Sequence, residues 1–294
     1  MINKGFSYIG LGLLYLVSLL PFWILYLFSD FLFLIVYHVV GYRRKVVKEN
    51  LKNAFPEKTI EQRAKIEREF YSYLCDLILE TVKMFTVSKK QLAKRMVGAN
   101  TEILLDALAR GKSVAGAVGH YGNWEMAGLR LSCELEAPTM IVYKKLNNEV
   151  FDKAFFKMRT RFGAKLVTME NTFREVLKNR HTPTFDVLVS DQTPVRGEAN
   201  YFTQFLNQET AVFLGIEKLA KFIDCTVIFC DIRRVKRGYY HCTLVPLFDD
   251  PKNTAPHEIT NAHVQYLEKV IREEPAYWLW SHRRWKFKPE GTAQ

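Results

Sequence analysis

In "GHYGNWE", residues 119–125, His120 and Glu125 stand five positions apart. On an ideal helix that spacing leaves about 140° between them, so two helical residues could not meet. The preceding "SVAGAVG" reads as a buried strand and the following "NWEMAGLRLSCEL" as the start of a helix, which places His120 in the loop at a strand's carboxyl end and Glu125 in a first helical turn. There they can meet. A carboxylate on one imidazole nitrogen fixes the tautomer and stabilises the imidazolium, which leaves the other nitrogen free to take a proton. That makes a general base. Two plainer readings compete: a structural histidine, and a first-turn glutamate that only complements the helix dipole. H-x4-E lacks the i, i+4 pairing of a zinc-protease helix and has no third ligand nearby, so no metal and no cofactor are expected. No Ser or Cys nucleophile stands beside the base, which disfavours a serine-type hydrolase. Backbone N–H groups of Gly122 and Asn123, at a helix start, could donate to an oxyanion.

Asp191 and Gln192 follow the apolar "FDVLVS", again at a strand end, where they could bind a polar part of a substrate, brace the site, or simply turn the chain. Near the carboxyl terminus "WLWSHRRWK" interleaves Trp278, Trp280 and Trp285 with Arg283 and Arg284. Such a mixture suits stacking on nucleic acid and suits a membrane interface equally.

The elements that must position these residues alternate. Apolar runs at 113–118, 138–143, 164–168 and 184–190 are separated by helical stretches, and 225–234 and 239–247 flank the turn "KRG". The expected fold class is α/β, a central, mostly parallel sheet flanked by helices, with one hairpin. Residues 59–86 carry apolar side chains at three- and four-residue spacing and read as an amphipathic helix; Asn100 is expected to cap another that Gly111 ends.

The chain of 294 residues is 48% hydrophobic and carries a formal charge of +11, from 42 Lys and Arg against 31 Asp and Glu. Anionic partners are implied. Five scattered cysteines without a C-x-x-C pair read as reduced, buried small hydrophobes. The amino terminus chooses among the anionic partners. From Phe6 to Val40 the only formal charge is Asp30, a stretch longer than the roughly 20 residues that cross a bilayer and too long for a cleaved signal's apolar region. Pro21 splits it into one kinked span or two shorter helices that dip into a leaflet and return. Arg43, Arg44, Lys45 and Lys48 follow the run while Lys4 alone precedes it, which puts the rest of the chain in the cytoplasm. Residues 1–42 are therefore expected as a membrane anchor and 43–294 as a cytoplasm-facing α/β domain.

"GHYGNWE" resembles the H-x4-[DE] signature of glycerolipid acyltransferases and, more narrowly, the bacterial lipid A biosynthesis (late) acyltransferases. The likeness includes the apolar amino terminus, "YKKLNN" at 143–148, "RTRFG" at 159–163, "SDQTP" at 190–194 and "WLWSHRRWK" at 278–286. Lys144 stands where the family usually has arginine, which touches substrate detail rather than chemistry. The resemblance implies an O-acyltransferase of the bacterial inner membrane that moves an acyl chain from an acyl carrier protein thioester to a hydroxyl of a lipid A precursor, without an acyl-enzyme. His120 would deprotonate the acceptor, Glu125 would orient His120, and Arg159, with Arg161 second, would face the thioester oxyanion. Tyr143, Asn147, Arg161, Asp191, Gln192, Arg283 and Arg284 are the expected substrate contacts; nucleic acid is not an expected partner. The alternatives are another lysophospholipid or aminolipid acceptor, and a non-catalytic membrane-anchored protein that binds anionic lipid.

Overall fold

A computed structural model describes residues 4–195, 197 and 199–288. The apolar run breaks at Pro21, whose missing N–H cannot continue a helix. Helix α1 covers Lys4–Leu19 and α2 Phe22–Phe33, the latter running on as a π-helical segment, Leu34–Val40, that ends at a left-handed Gly41. After α3 (Arg44–Ala54), Thr59 and Gln62 satisfy each other's backbone N–H groups in a capping box that opens α4, Ile60–Lys83. A second capping box, Ser88 with Gln91, opens α5 (Lys89–Arg95), which leads through β1 (Met96–Ala99) to α6 (Thr101–Ala109). Asn100 precedes α6 in a left-handed conformation and makes no side-chain cap.

Strands and helices then alternate: β2 (Val114–Val118), α7 (Trp124–Glu134), β3 (Thr139–Tyr143), α8 (Glu149–Thr160), β4 (Lys165–Thr168), α9 (Thr172–Lys178) and β5 (Phe185–Val189). A small hairpin of β6 (Phe202–Phe205) and β7 (Gln208–Ala211) precedes α10 (Gly215–Ile223), the long pair β8 (Thr226–Lys236) and β9 (Tyr239–Phe248), and α11 (Glu258–Glu273). The seven strands of the main sheet lie in the order β1-β9-β8-β2-β5-β3-β4. Among the described residues, only β8 and β9 pair antiparallel within it. This is the expected α/β architecture, hairpin at "KRG" included. Strands β1, β6 and β7 were not expected; β6 and β7 mix polar with apolar residues and form no apolar run.

All of β2 is buried, as a central parallel strand requires. Ala115 and Ala117 face one core with Ile259 and Leu267 of α11, while Val114 and Val118 face the other with Met126 and Leu129 of α7, the alternation of a strand covered on both sides.

The amino-terminal helices are tied to the α/β body. Helices α1 and α2 pack on α4 through polar groups: Ser29 donates to Asp76 Oδ1 (2.7 Å), Tyr26 to Glu80 Oε1 (2.9 Å), and Lys83 Nζ to the carbonyls of Ser18 (2.8 Å) and Leu20 (2.9 Å). Arg237, in the β8–β9 turn, bridges Asp30 and Asp76. Next to it Gly238 has φ +74°, and a Cβ there would lie 1.8 Å from the Tyr26 hydroxyl, so glycine lets α2 close against the turn. Phe6, Ile9, Leu13, Leu16, Trp23, Leu27 and Phe31 point outward, each more than half exposed. The inner face of these helices mixes buried serines with Phe22 and Leu25, and the outer face is apolar.

Candidate active site

Strands β2 and β5 pair in parallel with Val118 opposite Val189, so His120 and Asp191, each two residues further on, leave adjacent strands side by side at the carboxyl edge of the sheet. This is where open α/β sheets place ligands. Asp191 Oδ1 lies 2.6 Å from His120 Nδ1, while its Oδ2 accepts from the His120 backbone N–H and from Trp278 Nε1, both at 2.8 Å. Burial alone would raise this carboxyl; the His120 imidazole and the N–H donors outweigh it and bring it down to about 2. A carboxylate on Nδ1 makes Nδ1 the donor and leaves Nε2 as the acceptor. Nε2 faces the Gln192 side-chain amide at 3.2 Å, and the ring packs edge-on against Trp124.

Sequence spacing put Glu125 on the imidazole. In the structure Asp191 holds that position and Glu125 turns to α8, where Arg159 Nε donates to its Oε2 at 2.9 Å and Nη2 to its Oε1. The cause lies in the helix start: the first turn of α7 aims Glu125 at the last turn of α8 instead of back at the loop. Burial of Arg159 would lower its pKa, but the Glu125 carboxylate prevails and raises it, with Asp152 and Tyr143 adding to the effect. A two-pronged guanidinium–carboxylate pair fixes orientation as well as charge. Tyr143, at the end of β3, is itself raised by partial burial and by Asp152.

The loop between β2 and α7 is held from below by α4. Asn123 Oδ1 caps α7 at the Met126 N–H (2.9 Å), and its Nδ2 donates to Glu80 Oε2 at 2.6 Å, an oxygen that also accepts from the Tyr240 hydroxyl at 2.8 Å. Burial pushes the Glu80 carboxyl up against these donors. Gly122 has φ +59°, and a Cβ there would come within 2.5 Å of the Ile232 carbonyl. Its N–H donates to Tyr277 O at 3.0 Å, so it is not free for an oxyanion as the sequence suggested. Asn123, Glu80 and Tyr240 carried no sequence signal as a group, because their relation exists only across the sheet.

The other expected site residues are dispersed. Asn147 is exposed in the loop before α8, whereas its neighbour Asn148 caps that helix and bonds Ser7 of α1. Arg161 donates to the Met84 carbonyl at 2.9 Å, at the end of α4. Arg283 is exposed, but Arg284 is buried. Trp278 and Trp280 are fully buried, so they are core side chains and not interface anchors. The Thr193 N–H donates to His282 Nε2 (3.1 Å), which burial keeps neutral with a pKa near 4. Among the described residues, no three His, Cys, Asp or Glu side chains converge to hold a metal ion. The arrangement offers a carboxylate-held imidazole whose second nitrogen meets the Gln192 amide, and a fixed cation on the neighbouring helix.

The profile of a family described as bacterial lipid A biosynthesis acyltransferase matches residues 1–287. A lipid A biosynthesis acyltransferase of Haemophilus influenzae is 24% identical over 93% of this chain and 85% of its own. A lipid A biosynthesis lauroyltransferase of Escherichia coli is 23% identical over 97% of this chain and 93% of its own, and a palmitoleoyltransferase of the same organism 23% over 98% and 93%.

Proposed function

Since the chain belongs to the bacterial lipid A biosynthesis acyltransferase family, we propose that it transfers a fatty acyl chain from an acyl carrier protein thioester to a hydroxyl of a lipid A precursor. The observation that carries the chemistry is the His120–Asp191 pair, with Nε2 turned away from the carboxylate. His120 Nε2 takes the proton of the acceptor hydroxyl as its oxygen attacks the thioester carbonyl, and Asp191 stabilises the imidazolium that forms. Arg159, held by Glu125, is the cation offered to the tetrahedral oxyanion. Collapse of that intermediate breaks the carbon–sulfur bond, and the thiolate leaves with the proton from Nε2. Glu125 thus serves the cation instead of the base.

The outward apolar face of α1 and α2 supports attachment to the inner membrane, and the basic residues Arg43, Lys45 and Lys48 beyond it support a cytoplasmic catalytic domain. Asp30, Arg237 and Asp76 meet at the middle of the apolar stretch Phe22–Val40. If that stretch crossed the bilayer, these charges and the β8–β9 turn would lie at hydrocarbon depth. The helices instead rest in one leaflet.

The test is transfer by the purified full chain, with acyl carrier protein and coenzyme A thioesters compared against a lipid A precursor and a lysophospholipid, products read by mass spectrometry. Acylation of the lysophospholipid alone would replace the acceptor. No transfer to any lipid would leave a lipid-binding protein.

A further inference from the structure

Arg284 invites assignment to a lipid phosphate, yet its side chain is only 3% exposed. It lines a cavity of about 10 Å³ that reaches Asp191, together with Ser190, His263 and Phe229. That volume is close to what one water needs, roughly 10–15 Å³, and excludes a lipid head group. Among the described residues, Arg284 Nε and Nη1 and His263 Nε2 have no hydrogen-bond partner. The backbone of Arg284 is fixed separately, its carbonyl accepting from the Thr193 hydroxyl at 2.8 Å.

The charges around this cavity can be counted. His263, on α11, and His282, beside Thr193, are held near a pKa of 4 by burial and bring no charge at neutral pH. Glu217 acts on His263 and Arg43 on His282 from further out. His120 meets Asp191 through its Nδ1 and its backbone N–H. Among the described residues, Arg284 is thus the one cation lining the cavity, and Asp191 the one anion. Together they are neutral, so the cavity suits a neutral water better than a small anion. A buried charge is tolerated when an opposite charge shares its surroundings.

We propose that Arg284 is a positioning residue that acts through Asp191, supplying across the shared cavity the counter-charge that sets how strongly this carboxylate draws positive charge onto His120. The inference rests on His120 as the proton acceptor. Without the guanidinium, Asp191 keeps its Trp278 and backbone donors and stays ionised, but its field on the imidazole is no longer offset. Protonated His120 is then favoured and the acid limb of the transfer profile rises.

The experiment compares Arg284→Met, Arg284→Gln and Arg284→Lys in the full chain by two readouts: the pH dependence of kcat/KM, and the titration midpoint of His120 by NMR of ¹⁵N-histidine-labelled protein. Both neutral variants should move limb and midpoint upward by about half a pH unit or more, while lysine, which keeps the charge, should stay near wild type. A folded neutral variant with no shift overturns the proposal, as does an equal shift in lysine, which would indicate packing. A raised KM for the lipid with limb and kcat unchanged would return Arg284 to substrate binding. If neither neutral variant folds, a displaced midpoint in Arg284→Lys alone overturns it and an unmoved one supports it. The NMR midpoint needs no substrate, so absence of transfer by the wild-type chain would sink the proposed function without deciding this point.

Discussion

His120 Nδ1 and Asp191 Oδ1 lie 2.6 Å apart across 71 residues of chain. The parallel register of β2 and β5 makes this possible, because equal steps past Val118 and Val189 bring both residues to the same edge. Asp191→Asn should therefore keep the fold and lower transfer by about 10²- to 10⁴-fold, since an amide no longer stabilises the imidazolium. His120→Ala should remove nearly all transfer. Steady-state assays with circular dichroism as a folding control check both, and wild-type turnover in either variant would end the mechanism.

Glu125 and Arg159 should behave as one unit. Arg159→Ala should cost about 10²-fold or more in kcat. Arg159→Lys should recover only part of it, because an ammonium cannot match both carboxylate oxygens. Glu125→Gln should loosen the same cation, so the double variant should be no worse than the single arginine variant. Additive losses would show that the two act separately. Arg161→Ala, which gives up a bond to the Met84 carbonyl and a cation–π contact with Phe162, should leave kcat within about threefold, as expected for contacts outside the reacting centre.

Acid stability offers a check that needs no substrate. Asp191 titrates near 2 in the folded chain against about 3.9 when unfolded. The folded state therefore binds fewer protons between these values, and stability rises with pH there. The contribution, on the order of 2 kcal/mol, is present in full above about pH 5 and is lost as pH falls toward 2. Urea midpoints measured from pH 5 down to the lowest pH at which the chain stays folded should drop less steeply in Asp191→Asn than in wild type. Parallel curves would contradict the assignment.

Removing residues 1–42 should destabilise the remainder as well as weaken membrane association. Glu80 would lose the Tyr26 hydroxyl, Asp76 would lose Ser29, and Lys83 would lose both carbonyls. Each buried polar group left unpaired costs about 1–3 kcal/mol. The truncated chain should unfold well below the full chain's Tm in detergent. An unchanged Tm, with the protein released from membranes, would restore the separate-anchor picture that the sequence suggests.

Much of the fold could be read from periodicity. The apolar runs that became β2, β3, β4, β5, β8 and β9 were each bounded to within about two residues, because strands such as β2 and β5, buried on both faces, have few polar interruptions. His120 was placed at its strand end for the same reason. Its carboxylate partner was not legible, since Glu125 is near in sequence while Asp191 becomes near only through the order of strands in the sheet. A bracing role for the residues after "FDVLVS" was one of the open readings, and the register sets Asp191 against the His120 imidazole. The tryptophans misled because alternation with arginine looks alike in a core and at an interface; only burial separates the two.

Glu80 holds Tyr26 of the apolar helices with one oxygen and Asn123 of the β2–α7 loop with the other. The helices are consequently not an interchangeable tether. A chimera that carries an unrelated membrane anchor would be delivered to the bilayer but would lack the hydroxyl that steadies this carboxylate, so its loop would work slackly on a correctly presented substrate. By the same link, a detergent that pries α2 from α4 would lower turnover before it unfolds the sheet.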